Sequence, residues 1–218
     1  MPVLSLTTDR HHGHLREPLA LARFLKKQGW PGAVATGEQV HRAKIAAVGA
    51  LVQPREYPGV DGLVTDVCAQ PLGLFTADCV PVFLSARNGE IVGVVHAGWR
   101  GVQANIVGRA LNLLRRRWNV VPRDVRFWAG PFIGPCCFEV QWDVARYFPN
   151  ARKRWKDRWR IDLGAALRRQ VRRAGARWKP TSMGCTMHSS RYFSFRRDGT
   201  ASRQVSLIMK KDRHERKP

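Results

Sequence analysis

Hydrophobic positions alternate most regularly between residues 80 and 95, in two β-rich segments separated by Asn88-Gly89. An Asn-Gly pair between two such segments is typical of a β-hairpin with a two-residue turn. In that hairpin the numbers of opposed residues sum to 177, so Cys79 faces Gly98. Cys79 and His96 would then project from one face of the hairpin as diagonal neighbours, about 7–8 Å apart.

Apolar residues at intervals of three and four predict amphipathic helices over about residues 18–28, 102–118 and 162–174. Shorter β-rich segments predict strands at 33–48 (one or two strands), 61–65, 125–128, 192–195 and 204–208. A hairpin mixed with helices indicates an α+β or mixed-sheet α/β protein rather than a purely parallel sheet.

The composition indicates a globular protein. Of its 218 residues 44% are hydrophobic, and a chain of this length buries roughly 70% of its unfolded surface. We expect one domain over residues 1–209, a basic tail over 210–218, and a monomer.

No apolar run approaches the roughly 20 residues of a membrane span, and the first residues are too weakly apolar for a signal peptide. We therefore expect a cytoplasmic protein whose five cysteines are reduced.

The charge is strongly positive. Lysine and arginine number 38 against 16 acidic residues, which gives a formal net charge of +22. Such a surface favours non-specific binding of polyanions, including nucleic acid. The alternative is a solvated basic face, since the arginines are concentrated within the predicted helices.

Two residues of the hairpin face are metal-ligand types, Cys79 and His96. His41, at the end of a strand-like segment, is the best third ligand by chemistry. Two imidazoles and one thiolate leave one tetrahedral position open, which is typical of a catalytic rather than a structural zinc site. The alternative is a buried thiol with two hydrogen-bonded histidines.

The segment from Gly98 to Gly101 comes directly before a predicted helix. Its two glycines allow a close backbone approach. Free amides at a helix start together with Arg100 could bind phosphate. The alternative is an ordinary strand-to-helix turn with Arg100 in solvent.

Several motifs follow one another in a fixed order, and together they resemble the YfiH-type, laccase-domain family, long labelled polyphenol oxidase. The motifs are Gln39-Val40-His41, Asp61–Thr65, Thr76–Pro81, His96–Gly101, Gly130–Val140, Cys185-Thr186 and Phe193–Gly199. Two features differ from the family: the segment before the first helix is shorter, and Phe138 stands where tyrosine is common.

The resemblance implies a layered α/β/β/α sandwich related to the toxin-type cysteine hydrolases. It implies a zinc site that maps onto His41, Cys79 and His96. The implied activities are phosphorolysis of adenosine, inosine, guanosine and methylthioadenosine, and deamination of adenosine. Purine nucleoside and phosphate would be the binding partners.

Within this interpretation, phosphate would bind at Gly98, Arg100 and Gly101, with Arg196 or Arg197 adding positive charge. The metal would lie between Cys79 and His96, which we also take as catalytic. Asp78, with Glu38 behind it, is the expected proton shuttle of the deaminase reaction.

Three other functions remain open. Cys79 and His96 could be the nucleophile and base of a cysteine hydrolase acting on an amide or cell-wall precursor. A copper polyphenol oxidase is less favoured than a zinc enzyme, because a laccase needs a three-copper cluster and many more histidines than the seven present. A nucleic-acid-binding module has no recognisable motif behind it.

Overall fold

The computed structural model describes residues 2–182 and 184–211. The strands are β1 Val3–Thr7, β2 Ala35–Gly37, β3 Ile45–Ala47, β4 Arg55–Tyr57, β5 Gly62–Thr65, β6 Leu72–Thr76, β7 Val80–Ala86, β8 Ile91–Ala97, β9 Val125–Ala129, β10 Glu139–Val140, β11 Arg152–Trp155, β12 Arg158–Arg160, β13 Arg177–Trp178 and β14 Gln204–Lys210. The helices are α1 Pro18–Lys27, α2 Trp99–Gln103, α3 Ile106–Trp118, α4 Trp142–Ala145, α5 Leu163–Arg173 and α6 Phe195–Asp198.

Two mixed sheets form the body of the molecule, with a small three-stranded sheet at one side. Their strand orders are β1-β14-β6-β2-β4 and β13-β9-β7-β8-β5-β3, and the small sheet is β10-β12-β11. Each large sheet combines parallel and antiparallel pairs. The mixed-sheet prediction is therefore confirmed.

The two large sheets pack face to face and are covered by helices on their outer sides. Alternation along β14 illustrates this, because Leu207 packs towards Leu21 and Leu25 of α1 while Ile208 packs into the core between the sheets. Helices α3 and α5 bury their apolar sides on the outer face of the six-stranded sheet. This layering is the α/β/β/α sandwich that the resemblance implies.

The β7–β8 hairpin has the predicted register. Val82 pairs with Val95, and Pro81 pairs with His96. The connection is wider than a two-residue turn, because the ladder ends at Ala86 and Ile91. The connection has one additional residue on each side of Asn88-Gly89, so the same residues pair as in the prediction. The side chains of Cys79 and His96 therefore still lie on the same face of the hairpin.

Two predicted elements differ in the structure. The helix predicted over 102–118 is divided into α2 and α3, because Asn105 adopts a left-handed φ of 55°, a conformation that asparagine tolerates. Its side chain then accepts a hydrogen bond from the Gly108 amide and caps α3. The strand predicted over 192–195 is wrong: the Ser194 hydroxyl caps α6, which begins at Phe195.

The C-terminal boundary also differs. Lys210, predicted to begin a basic tail, is the last residue of β14, and its buried ammonium donates to the Glu90 carbonyl at 3.0 Å. Residues 212–218 of that predicted tail lie outside the described residues. Among the helices that the structure describes, none has the length and apolar character needed to cross a bilayer.

Candidate metal centre

Three side chains from distant segments meet at one end of the six-stranded sheet. Cys79 directly precedes β7, His96 lies in β8, and His41 lies in the loop between β2 and β3. One ligand atom from each lies within 4.8 Å of the other two. The imidazole rings of His41 and His96 are nearly perpendicular, at 83°, with centroids 4.5 Å apart. The structure therefore brings the three residues of the predicted ligand set together.

A fourth residue, Asp61, organises this cluster. Its carboxylate is fully buried and accepts hydrogen bonds from the amides of His41, Arg42 and Ala43 at 2.8, 2.7 and 3.1 Å. The same carboxylate lies 3.0 Å from Nδ1 of His96. Because an ionised carboxylate only accepts hydrogen bonds, Nδ1 carries the proton and Nε2 remains available as a metal ligand.

Asp61 also explains the unusual backbone of the His41 loop. His41 and Ala43 have left-handed φ values of 60° and 76°, which are unfavourable for residues with a side chain. Three amides converging on one buried carboxylate offset that cost. In the sequence, Asp61 stands out only as the first residue of a predicted short strand and of one motif of the family resemblance. The available signal was an acidic residue directly before the apolar strand β5.

The cluster shifts the pKa values of its own members. Burial acts to raise the pKa of the Cys79 thiol, but the charge of His96 and a hydrogen bond from His41 outweigh it, and the pKa falls to about 6. Burial acts to lower the pKa of His96, but Cys79 and Asp61 raise it to about 9. Without metal, Cys79 and His96 therefore form a thiolate–imidazolium pair between these values.

This pair predicts an unusual pH dependence of thiol reactivity. In metal-free protein, alkylation of Cys79 by iodoacetamide should accelerate as pH rises through about 6, because only the thiolate reacts. Mass spectrometry of the Cys79 peptide at a series of pH values measures the midpoint. His96→Gln removes the positive charge and should move the midpoint upward. A midpoint near 9 in the wild type would contradict the arrangement.

Gly98 makes room for the cluster. A Cβ on this residue would lie 3.0 Å from Sγ of Cys79 and 3.3 Å from Cδ2 of His41. At Gly101 the absence of a side chain has a different consequence. A Cβ added at Gly101 would lie 3.3 Å from the carbonyl oxygen of His96. The glycine allows α2 to pack closely on β8 and does not line the two cavities described next.

Two cavities adjoin the cluster, and His41, Cys79 and Phe195 line both. The smaller, of about 180 Å³, has mostly apolar walls together with Asp78, Arg100 and Arg196. The larger, of about 360 Å³, is lined by Arg16, Gln39, His41, Phe75, Thr76, Ala77, Cys79, His96, Phe195 and Arg203. The cluster thus lies between two recesses that each carry two guanidinium groups.

The predicted phosphate-binding arginines are placed differently from one another. Arg100 and Arg196 line the smaller cavity, where Arg100 stacks on Trp99 and Arg196 on Phe138. Arg197 lines neither cavity. Its guanidinium binds Asp198 and the backbone carbonyls of residues 186, 187, 189 and 192. The structure therefore gives Arg197 a role in holding the chain and leaves Arg196 beside the cluster.

The predicted proton shuttle Asp78 lies at the site, whereas Glu38, expected behind it, does not. The Asp78 carboxylate accepts from the Thr186 hydroxyl at 2.6 Å and from the Arg196 amide at 2.7 Å, and it lines the smaller cavity. Its backbone has a left-handed φ of 88°, which these bonds help to hold. Glu38 is exposed, binds the Gly59 amide and lines neither cavity.

Residues 15–211 match the family described as "Multi-copper polyphenol oxidoreductase laccase". The chain belongs to this family. The match extends from before α1 to the end of β14 and includes the three predicted ligand residues and Asp61. The expected membership is thereby confirmed.

Curated relatives and solved structures agree with this assignment. The chain is 35% identical over 195 residues to "Purine nucleoside phosphorylase YlmD" of Geobacillus stearothermophilus, covering 80% of this chain and 71% of that protein. It is 34% identical over 200 residues to "Purine nucleoside phosphorylase" of Xylella fastidiosa, covering 85% and 75%. The crystal structure of the Geobacillus YlmD superposes with a TM-score of 0.86 at 28% identity, covering 96% of this chain and 92% of that one. The YfiH protein of Bacillus licheniformis gives a TM-score of 0.81 at 27% identity, covering 89% and 80%.

Proposed function

We propose that this protein is a zinc-dependent purine nucleoside phosphorylase that acts on adenosine, inosine, guanosine and methylthioadenosine and also deaminates adenosine. The observation that carries the proposal is the meeting of His41, Cys79 and His96 between two arginine-lined cavities. The names of the curated relatives support the reaction class.

The donor set fits a zinc ion. Two imidazole nitrogens and one thiolate are zinc ligands, and three protein ligands are typical of a catalytic site. The Asp61–His96 hydrogen bond supplies the supporting carboxylate that zinc-binding histidines commonly have. When bound there, zinc would supply a Lewis acid with one open coordination position.

The smaller cavity supports the binding of phosphate. Arg100 and Arg196 both border it, and guanidinium groups bind phosphate oxygens with charge-assisted hydrogen bonds. In phosphorolysis a phosphate oxygen forms a bond to the sugar carbon while the bond between that carbon and the purine nitrogen breaks. The electron pair of the broken C–N bond leaves with the purine, which takes up a proton. The two arginines would orient the dianion beside the positive charge that develops on the sugar.

Deamination needs a proton to pass from the attacking water to the departing ammonia. Asp78 is the carboxylate at the smaller cavity, and its bonds to Thr186 and the Arg196 amide fix its orientation. We propose that Asp78 carries this proton, which assigns it the role usually filled by glutamate in zinc deaminases.

The experiment that tests the function compares nucleosides with and without phosphate. Zinc-loaded protein should release hypoxanthine from inosine only when phosphate is present, with formation of ribose 1-phosphate. Chelation should abolish the release, and added zinc should restore it. Release of base that is independent of phosphate would indicate a hydrolase, and no release in any condition would contradict the proposal.

A cysteine hydrolase remains the second candidate because of one observation. Cys79, His96 and Asp61 place a thiol, an imidazole and a carboxylate side by side: the ligand atoms of Cys79 and His96 lie within 4.8 Å, Nδ1 of His96 is 3.0 Å from Asp61, and the thiol pKa is lowered to about 6. This is the arrangement of a nucleophile, its base and an orienting group. A hydrolase of this kind would act on an amide substrate and stay active after thorough chelation, which separates it from the phosphorylase.

A further inference from the structure

A second cluster of metal-ligand side chains lies apart from the centre described above. Cys136, Cys137, Cys185 and His188 each offer a ligand atom, and these four atoms lie within 4.8 Å of one another. Sγ of Cys136 is 3.7 Å from Nδ1 of His188, and Sγ of Cys137 is 3.1 Å from Nε2. Ligand atoms around one tetrahedral zinc ion stand roughly 3.5 Å apart. Because His188 can bind one ion through only one ring nitrogen, the thiol that faces the other nitrogen would turn towards the ion, and the spacing of at most 4.8 Å between the four ligand atoms leaves a short distance to close.

The backbone around the cluster is shaped to hold sulfur. The Gly134 amide donates to Sγ of Cys185 at 3.2 Å, and a Cβ on Gly134 would lie 3.1 Å from Sγ of Cys136. The amide of Cys137 bonds to the Gly134 carbonyl, and that of His188 to the Cys185 carbonyl. Each ligand pair is thus presented by its own tight turn, as in structural zinc sites that use closely spaced cysteines.

Two segments that are distant in the sequence supply the ligands. In the part of the chain that the structure describes, an isolated parallel bridge between Phe132 and Cys185 and the bond from the Thr186 amide to the Phe132 carbonyl join the two backbones. The three thiols are free. Three neutral thiols beside an imidazole gain little from being gathered together, whereas three thiolates and an imidazole form a complete ligand set for a soft divalent cation.

We propose that Cys136, Cys137, Cys185 and His188 bind a second zinc ion, which is structural and distinct from the ion at His41, Cys79 and His96. Four protein ligands fill a tetrahedral shell, so no position is left for water or substrate. The role of this ion is to fasten the 130–138 loop to the turn that begins at Cys185.

This fastening reaches the catalytic cleft through Asp78. The Ile133 amide donates to the Asp78 carbonyl at 3.0 Å, and the Thr186 hydroxyl donates to its carboxylate at 2.6 Å. Both donors belong to the two segments that the second ion would join. Asp78 directly precedes Cys79, so the second ion would fix the position of both residues without itself contacting substrate.

The first test uses the unmodified protein, purified under reducing conditions with zinc. Elemental analysis should give two zinc ions per chain. Zinc X-ray absorption should then show two sulfur ligands per ion on average, because one centre holds one cysteine and the other three. One zinc per chain with a single sulfur ligand would overturn the proposal.

Variants then assign the two ions. Cys79→Ala should keep one zinc, bound with three sulfur ligands. The double variant Cys137→Ala with Cys185→Ala should keep one zinc, bound with one sulfur ligand. Cys68→Ala, which alters a cysteine outside both clusters, should keep two.

Two results would overturn the second site. One is an unchanged zinc content in the double variant. The other is a disulfide among the three cysteines in freshly reduced, zinc-loaded protein, seen in the mass of the intact chain. The metal counts do not depend on the nucleoside reaction, so failure of the proposed activity would leave this test intact.

Discussion

Cys79→Ala is expected to lower phosphate-dependent release of hypoxanthine from inosine by at least ~10³-fold. In the proposed ligand set the thiolate is the anionic member, so its loss would remove the charge that favours metal binding beside His96. A Lewis acid contributes several kcal/mol of transition-state stabilisation, and each ~1.4 kcal/mol corresponds to tenfold in rate. Steady-state assays at saturating phosphate, with the zinc content measured in parallel, check the prediction.

Cys68→Ala is the matched control. Cys68 is also half-buried, but its sulfur faces the Lys210 carbonyl and lies outside both clusters. This variant should keep full activity and full zinc content. If Cys79→Ala retained wild-type activity, the metal centre would not be the site of the reaction.

The hairpin shows how much of the candidate site can be predicted from a local sequence pattern. Alternation and the Asn88-Gly89 signal predict the pairing of β7 with β8, and parity then places Cys79 and His96 on one face. This inference survives the wider turn, since the insertion is symmetric. A local pattern can therefore position two of the three predicted ligands.

The contact between His41 and Asp61 cannot be predicted from a local sequence pattern. His41 lies in a loop whose conformation depends on the buried carboxylate of Asp61, 20 residues further along the chain. No periodicity encodes such a contact, because it depends on the parallel pairing of β3 with β5, which brings the residues just before each strand together. The sequence proposes His41 from its chemistry and its place after a strand-like segment, and the family resemblance implies the same residue, whereas the role of Asp61 is visible only in the folded geometry.

The arginines show a second limit. Arg196 and Arg197 are adjacent and chemically identical, and no sequence pattern separates them. The start of α6 turns Arg196 to the cavity, where its guanidinium also donates to the Glu139 carbonyl at 2.7 Å, and turns Arg197 away to a set of backbone carbonyls. Which of two neighbouring charges reaches a ligand is decided by the helix start, and that start was predicted as a strand.

Asp61→Asn is expected to weaken zinc binding at the first centre by about 10–100-fold, the usual cost of losing a supporting carboxylate. It should also lower the free energy of unfolding by about 1–3 kcal/mol, the cost of unsatisfied buried donors. Asparagine has one acceptor oxygen and one donor NH₂. Its NH₂ must face either the amides of Arg42 and Ala43 or the amide of His41 and Nδ1 of His96.

When the asparagine NH₂ faces His96, Nδ1 of His96 must be unprotonated in order to accept a hydrogen bond from it. The proton of the neutral imidazole then lies on Nε2, the atom needed for the metal. Competition with a chromophoric chelator measures the zinc affinity, and urea denaturation of metal-free protein measures the stability. Asp66→Asn, at the other end of β5, is the control, because Asp66 is exposed and the asparagine oxygen can still accept from Trp118. Reduced stability with unchanged zinc affinity would mean that Asp61 only holds the His41 loop and does not orient His96 for the metal.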